Sequence, residues 1–148
     1  MELTLPANAY VPGRTARHPE DTFAALCGTV AQGMNIRDIA ASDAWRAGWV
    51  LLDRGYFWEA HEVWEPVWLH LPPNSAERQF VQACIQFANA CLKERMQRPA
   101  AALRLCGLAR ERLAAAGSGS GSRIMGIDTA ELHSRLTALR ERLRNTAT

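Results

Sequence analysis

The feature that most constrains the fold of this chain is the helical spacing of its apolar residues. Near the C-terminus, leucines recur at intervals of four, three and four, which places them along one side of an α-helix. The members of this stripe are Leu132, Leu136, Leu139 and Leu143. Alternating apolar and polar segments rich in β-branched residues are missing, so strands are not indicated. The pattern therefore predicts an all-α protein.

Helix-breaking and helix-capping residues divide the chain into an N-terminal arm and about five helices. Residues 1–40 are rich in Pro and Gly, which favours an extended arm with at most a short helix over residues 19–30. Helices are predicted over 42–55, 56–70 and 75–96, from 99 onward and from 128 onward. The Gly-Ser run 117–122 has the composition of a flexible loop. Short connections predict a compact bundle, with residues 41–148 as a single helical domain.

Length and composition exclude several protein classes. A chain of 148 residues with 48% hydrophobic residues can form one domain without a structural metal or disulfide. The four cysteines show no CxxC spacing and no zinc-type spacing. The N-terminus lacks a signal-peptide layout, and no apolar run approaches the roughly 18 residues of a membrane span. We therefore expect a cytoplasmic protein without a membrane partner.

The charge is distributed unevenly. Residues 1–97 carry 8 basic and 11 acidic side chains (net −3), whereas residues 98–148 carry 9 and 4 (net +5). A basic half can indicate contact with nucleic acid. Here the arginines alternate with Leu and Ala at helical spacing, and no base-stacking or groove-reading motif accompanies them. A solvated helix face is therefore favoured over a nucleic-acid interface.

All five tryptophans lie within 24 consecutive positions. They are Trp45, Trp49, Trp58, Trp64 and Trp68. One interpretation is packing between the first two long helices, which fits the one-turn spacing of Trp45 and Trp49. The other is an aromatic pocket or a homodimer surface, because Trp is enriched at interfaces.

The helix predicted over 56–70 carries the residues best suited to chemistry. His61 shares a helix face with aromatic residues, and Glu65 lies one turn beyond it, within reach of the imidazole. Glu62 follows His61 directly. Three interpretations remain open: a buried hydrogen-bond network, a metal site that also uses His18 or His70, and general acid–base chemistry. The order His-Glu-Val-Trp-Glu has a Glu where the HExxH zinc motif has its second His.

Two other segments are candidates to complete this site. The helix over 75–96 carries a polar stripe that includes Gln82 and Gln86, which either faces solvent or forms half of a buried network with His61. In the N-terminal arm, Arg14, Arg17 and His18 either belong to a solvated tail or fold over the helices toward the acidic residues.

The segment Phe57-Trp-Glu-Ala-His-Glu-Val-Trp-Glu65, with Trp68 after it, resembles the small helical domain-of-unknown-function family 309. The following Gln-rich helix, the segment from Pro99 to Leu105 and the closing Gly126-Ile-Asp128 fit as well, so the resemblance extends over about residues 42–132. It implies an all-helical domain. It also implies the label of a predicted metal-dependent hydrolase, which such proteins sometimes carry on the strength of the motif alone.

The resemblance also implies a set of motif positions. They are Glu59, His61, Glu62, Glu65, Gln82 and Gln86. We therefore predict His61, Glu62 and Glu65 as catalytic residues, with His61 and Glu65 as ligands of a divalent metal. The predicted binding residues are Glu59, Trp64, Gln82 and Gln86. The alternative is a non-catalytic structural or protein-binding domain in which the same cluster is a buried hydrogen-bond network.

Overall fold

The protein is described by a computed structural model that covers residues 3–117 and 122–146, and over these residues it is all-α, as predicted. Its helices are α1 (Ala24–Cys27), α2 (Ile36–Ala40), α3 (Asp43–Asp53), α4 (Phe57–His70), α5 (Ala76–Arg95), α6 (Pro99–Ala115) and α7 (Thr129–Thr146). Five of these described helices have eleven or more residues. The chain divides into two compact units, Met1–Leu71 and Pro72–Thr148.

The first unit is built around the packing of α3 on α4. The Ser42 side chain caps α3 by accepting a hydrogen bond from the Trp45 backbone N–H (3.3 Å), and Gly55, with φ 84°, follows the end of the helix. The two helices are in close contact at Gly48, where a Cβ atom would overlap the indole of Trp64. One face of α4 therefore packs against α3. The residues on the other faces of α4 point away from this core.

Three of the tryptophans form the centre of this unit. Trp64 is fully buried, and its Nε1 donates a hydrogen bond to the Trp45 carbonyl oxygen (3.2 Å). Ring centroids lie 5.6 Å apart for Trp45 and Trp64, 5.1 Å for Trp49 and Trp64, and 5.7 Å for Trp45 and Trp49. The packing interpretation of Trp45 and Trp49 is therefore confirmed.

The N-terminal arm contributes to the same core. Helix α1 lies inside the predicted range 19–30, but α2 was not predicted from the sequence. Its five residues are too few to show a repeating apolar stripe; Asn35 caps it through the Asp38 N–H, and Ile39 anchors it as a fully buried side chain. Val11 and Phe23 are buried as well, so the arm covers part of the core.

The second unit consists of α5, α6 and α7 with a small hairpin before α7. The predicted leucine stripe of α7 is buried, with no more than 1% of any of its four side chains exposed. The Arg142 guanidinium on α7 donates two hydrogen bonds to the Glu94 carboxylate on α5, at 3.1 and 3.2 Å. The prediction that the chain has no strands was wrong for one segment, where β1 (Arg123–Ile124) pairs antiparallel with β2 (Ile127–Asp128). Two-residue strands are too short to show alternation.

The turn of this hairpin explains how such short strands pair. Met125 and Gly126 have φ values of 54° and 75°, and two successive positive φ angles are typical of the tight turn that joins hairpin strands. Residues 118–121 of the predicted Gly-Ser loop lie outside the described residues. Among the helices of the described ranges, none combines the length and the apolar character needed to cross a membrane.

Candidate functional site

One turn of α4 brings three polar side chains together in the first unit. His61 Nε2 lies 2.7 Å from Glu65 Oε1, and His61 Nδ1 lies 3.8 Å from Glu62 Oε1. The predicted contact between residues four apart on the helix is therefore present. We refer to His61, Glu62 and Glu65 as the His61 cluster.

The His61 cluster has the composition of a metal-ligand set. One ligand atom from each of its three residues can be chosen so that all lie within 4.8 Å of one another. The side chains of His61, Glu62 and Glu65 are 19%, 34% and 55% exposed, so the cluster lies at the surface of α4. His61 Nδ1 is buried and has no hydrogen-bond partner among the described residues. One nitrogen and two carboxylates are donors that Zn²⁺ accepts, and a buried lone pair without a partner suits a metal ligand.

A proline connects this cluster to α1. Pro66 lies inside α4 and has no N–H, so the carbonyl of Glu62 lacks its usual helical donor. The thiol of Cys27 donates to that carbonyl instead, with Sγ 3.8 Å from the oxygen. Burial raises the pKa of the Cys27 thiol, and the negative charges of Glu62 and then Glu65 raise it further. Cys27 was not among the predicted site residues.

Glu59, one turn before the His61 cluster, binds the N-terminal arm. Its side chain is fully buried, and Oε2 accepts hydrogen bonds from the Tyr10 backbone N–H and from His18 Nε2, both at 2.6 Å. The other oxygen, Oε1, is buried without a hydrogen-bond partner in the described ranges. Of the two interpretations of the arm, folding over the helices is correct for the segment around His18. The Arg14 side chain is exposed.

The arm, α1 and α4 enclose a cavity of about 360 Å³, which we call the arm cavity. It is lined by Arg17, His18, Pro19, Glu20, Phe23, Ala24, Cys27, Trp58 and Glu62. The ring of Trp58 lies 6.1 Å from that of His18 and 6.4 Å from that of His61. Because Glu62 belongs both to the cavity wall and to the His61 cluster, the cavity adjoins the cluster.

The other predicted binding residues have different surroundings. Trp64 lies in the core described above. Gln82 and Gln86 lie on α5 in the second unit and are half-buried, and their contact with His61 stays a prediction. His70, an alternative metal ligand, has Nδ1 2.8 Å from the Pro66 carbonyl oxygen. A cavity of about 560 Å³ in the second unit is lined in part by Arg110 and His133, and none of its described lining residues is a predicted site residue.

The structure adds two contacts of Glu59 that the sequence did not predict. Tyr10 contributes only a backbone N–H, which any residue except Pro carries, so no sequence pattern marks it. The Glu59–His18 contact joins residues 41 positions apart, and helical spacing predicts neighbours only within a turn or two.

Comparison with known proteins gives one match. Residues 45–105 match the family model DUF309, described as a domain of unknown function, and this segment contains every predicted motif position from Glu59 to Gln86. The match ends before Gly126-Ile-Asp128, the last part of the resemblance. No curated protein and no solved structure matches the chain. The match confirms the resemblance that the motif predicts: residues 45–105 of the chain match the DUF309 family.

Proposed function

We propose that the His61 cluster binds a divalent metal ion and that the protein is a metal-dependent hydrolase. The observation that carries the proposal is the convergence of one imidazole and two carboxylates within 4.8 Å, with His61 Nδ1 buried and without a hydrogen-bond partner in the described structure. Three protein ligands leave a zinc-type site with an open position, as catalytic zinc sites have.

The arm cavity is the natural place for the substrate. Its volume of about 360 Å³ falls within the range of small-molecule pockets. Glu62 connects it to the His61 cluster. A metal ion bound there would polarise a carbonyl or phosphoryl oxygen and lower the pKa of a bound water molecule. The residues of the chain would hold the ion, orient the substrate against the cavity wall and move the proton.

A non-catalytic role has its own support. Glu65 already forms a 2.7 Å hydrogen bond with His61, and Glu59 already ties the arm to α4. In this second candidate function the same residues fix the arrangement of arm and helix, and the domain binds a partner without chemistry. The two candidates differ in whether the protein holds a metal.

Metal analysis of protein purified without a chelator separates them. We expect about one divalent ion per chain in the wild type and a loss of the metal in His61→Ala, because the imidazole is the only nitrogen donor of the described cluster. His133→Ala is the matched control, since His133 is exposed on α7 and should leave the metal content unchanged. Absence of stoichiometric metal in the wild type, or equal metal in His61→Ala, rules out the hydrolase proposal.

Three further assignments complete the proposal: a homodimer, a cytoplasmic location, and a single helical domain over 41–148. The described part of the chain includes a large apolar side chain, Leu69, that is 61% exposed on α4, close to the tryptophans. A dimer would cover this surface. Light scattering on the preparation used for metal analysis gives the mass in solution, and a monomer mass contradicts the dimer.

A further inference from the structure

We propose that His18 is the general base of the hydrolytic reaction and that Glu59 is its positioning residue, the two forming a carboxylate–imidazole pair at the wall of the arm cavity. This inference rests on the proposed hydrolase function and extends it to the substrate: a small ester, amide or phosphoester that carries an anionic group.

The geometry assigns a separate task to each nitrogen of the His18 ring. Nε2 lies 2.6 Å from Glu59 Oε2 and is used by that hydrogen bond. Nδ1 is therefore the nitrogen left for a ligand, on a side chain that is 13% exposed and lines the arm cavity. Two aromatic rings pack against the imidazole, with centroids at 5.9 Å for Phe23 and 6.1 Å for Trp58. The ring is thus held in one orientation.

Glu59 is suited to fix the tautomer of that ring. A carboxylate accepts hydrogen bonds only, so a neutral His18 must place its proton on Nε2. Nδ1 then carries the free lone pair that a general base needs; in other carboxylate–histidine pairs, too, the carboxylate holds the proton of one nitrogen and leaves the other nitrogen as the base. Glu59 is itself held in place, because it is fully buried and accepts the Tyr10 N–H at 2.6 Å. A buried carboxylate with an unpartnered Oε1 is costly to keep for packing alone, which favours a functional reason for it.

Nδ1 of His18 accepts a proton from a water molecule while the water oxygen forms a bond to the electrophilic carbon or phosphorus of the substrate. The bond to the leaving group then breaks with its electron pair on the leaving atom. The imidazolium returns its proton to that atom, so His18 and Glu59 end the cycle unchanged.

Arg17 indicates the charge of the substrate. Its guanidinium carbon lies 5.6 Å from the centre of the Trp58 ring, and no carboxylate among the described residues forms an ion pair with it. The same cavity wall includes the acidic residues Glu20 and Glu62, the second of which is a proposed metal ligand. A guanidinium without an acidic partner at a cavity wall favours a carboxylate or phosphate group on the ligand.

Nitrogen NMR of the imidazoles tests the pair in metal-free protein. At a pH where imidazole is neutral, we expect His18 in the Nε2–H tautomer. His70, whose Nδ1 lies 2.8 Å from the Pro66 carbonyl oxygen, should show the opposite Nδ1–H tautomer and serves as an internal reference. Glu59→Gln should shift His18 toward a tautomer mixture and leave His70 unchanged. His18 in the Nδ1–H form in the wild type overturns the proposal without the need for any variant.

Titration with inorganic phosphate tests the ligand. We expect phosphate to shift the His18 resonances, and Arg17→Gln to weaken that binding about tenfold while leaving the His18 tautomer unchanged. Arg14→Gln is the matched control, since Arg14 is exposed, as Arg17 is, but does not line the arm cavity. An absence of phosphate binding, or equal binding by both variants, rules out the anionic substrate.

The same spectra of His61→Ala separate this inference from the metal proposal. The His18 tautomer should persist in that variant, because none of the described hydrogen bonds, ion pairs or ring contacts of His61 is with His18 or Glu59. If the wild type binds no metal but keeps the His18 tautomer and phosphate binding, the metal proposal fails alone. If metal binds but the His18 tautomer is the opposite one, the general-base assignment fails alone.

Discussion

The two histidine–glutamate pairs of the first unit have nearly the same length but opposite surroundings. His18 and Glu59 are 2.6 Å apart, with side chains 13% and 0% exposed, whereas His61 and Glu65 are 2.7 Å apart, with side chains 19% and 55% exposed. Distance therefore does not distinguish them. Burial of the carboxylate does, because water screens and replaces the interactions of an exposed carboxylate more effectively than those of a buried one.

The pairs also differ in the distance along the chain that they bridge. His61 and Glu65 lie one turn apart on α4, so their contact needs little ordering beyond the helix itself. His18 and Glu59 are 41 positions apart, so their contact orders the arm against the helix. The buried pair therefore orders the arm against α4, whereas the exposed pair adds no order beyond that of the helix.

The largest loss of stability is expected from Glu59→Ala. The change leaves the Tyr10 N–H and His18 Nε2 without their acceptor in a buried site, and it removes a buried side chain. We expect the free energy of unfolding to fall by about 3 kcal/mol. Urea denaturation of wild type and variant measures it. A loss below about 1 kcal/mol would mean that burial does not distinguish the two pairs.

Glu65→Ala is the matched change in the exposed pair. Both residues lie within α4, so the difference in helix propensity between Glu and Ala is common to both variants. We expect Glu65→Ala to lower the free energy of unfolding by less than about 1 kcal/mol, because its side chain is 55% exposed. The same urea titration measures it, and a loss equal to that of Glu59→Ala would contradict the comparison.

The sequence predicts the exposed pair but not the buried one, for a physical reason. Helical geometry fixes which residues of α4 are neighbours, so the contact of His61 with Glu65 follows from their spacing. The partner of Glu59 comes from an arm rich in Pro and Gly, where no periodicity fixes which side chain reaches the helix. Only the packing of the arm decides that His18 rather than Arg14 arrives there.

The fold shows the same difference between elements that a repeating pattern marks and elements that no pattern marks. The long helices were predictable because their apolar stripes repeat over several turns, as the four leucines of α7 do. Helix α2 and the hairpin of β1 and β2 were missed because five-residue and two-residue elements are shorter than any repeat. Cys27 was missed for a related reason. The sequence shows that Pro66 leaves the Glu62 carbonyl without its helical donor, but it does not show that the Cys27 thiol takes the place of that donor.

The smallest effect is expected on the reactivity of the Cys27 thiol, whose pKa depends on the charge of the His61 cluster. Its pKa is raised first by burial and then by the negative charges of Glu62 and Glu65. Replacing either Glu by Gln removes a charge but keeps the size of the side chain, so the pKa of the thiol should fall. More thiolate is then present at a given pH, and alkylation by iodoacetamide should be faster.

The order of the two charges makes this prediction specific. Glu62→Gln should accelerate alkylation of Cys27 more than Glu65→Gln, because the charge of Glu62 raises the pKa more. Cys91 is the internal control, since burial raises the pKa of its thiol to about 12 and keeps it protonated in both variants. Mass spectrometry of the alkylated peptides measures both sites in one sample. Unchanged or slower alkylation of Cys27 would show that solvent already screens the cluster, and the exposed pair would then act on its surroundings only through direct contact.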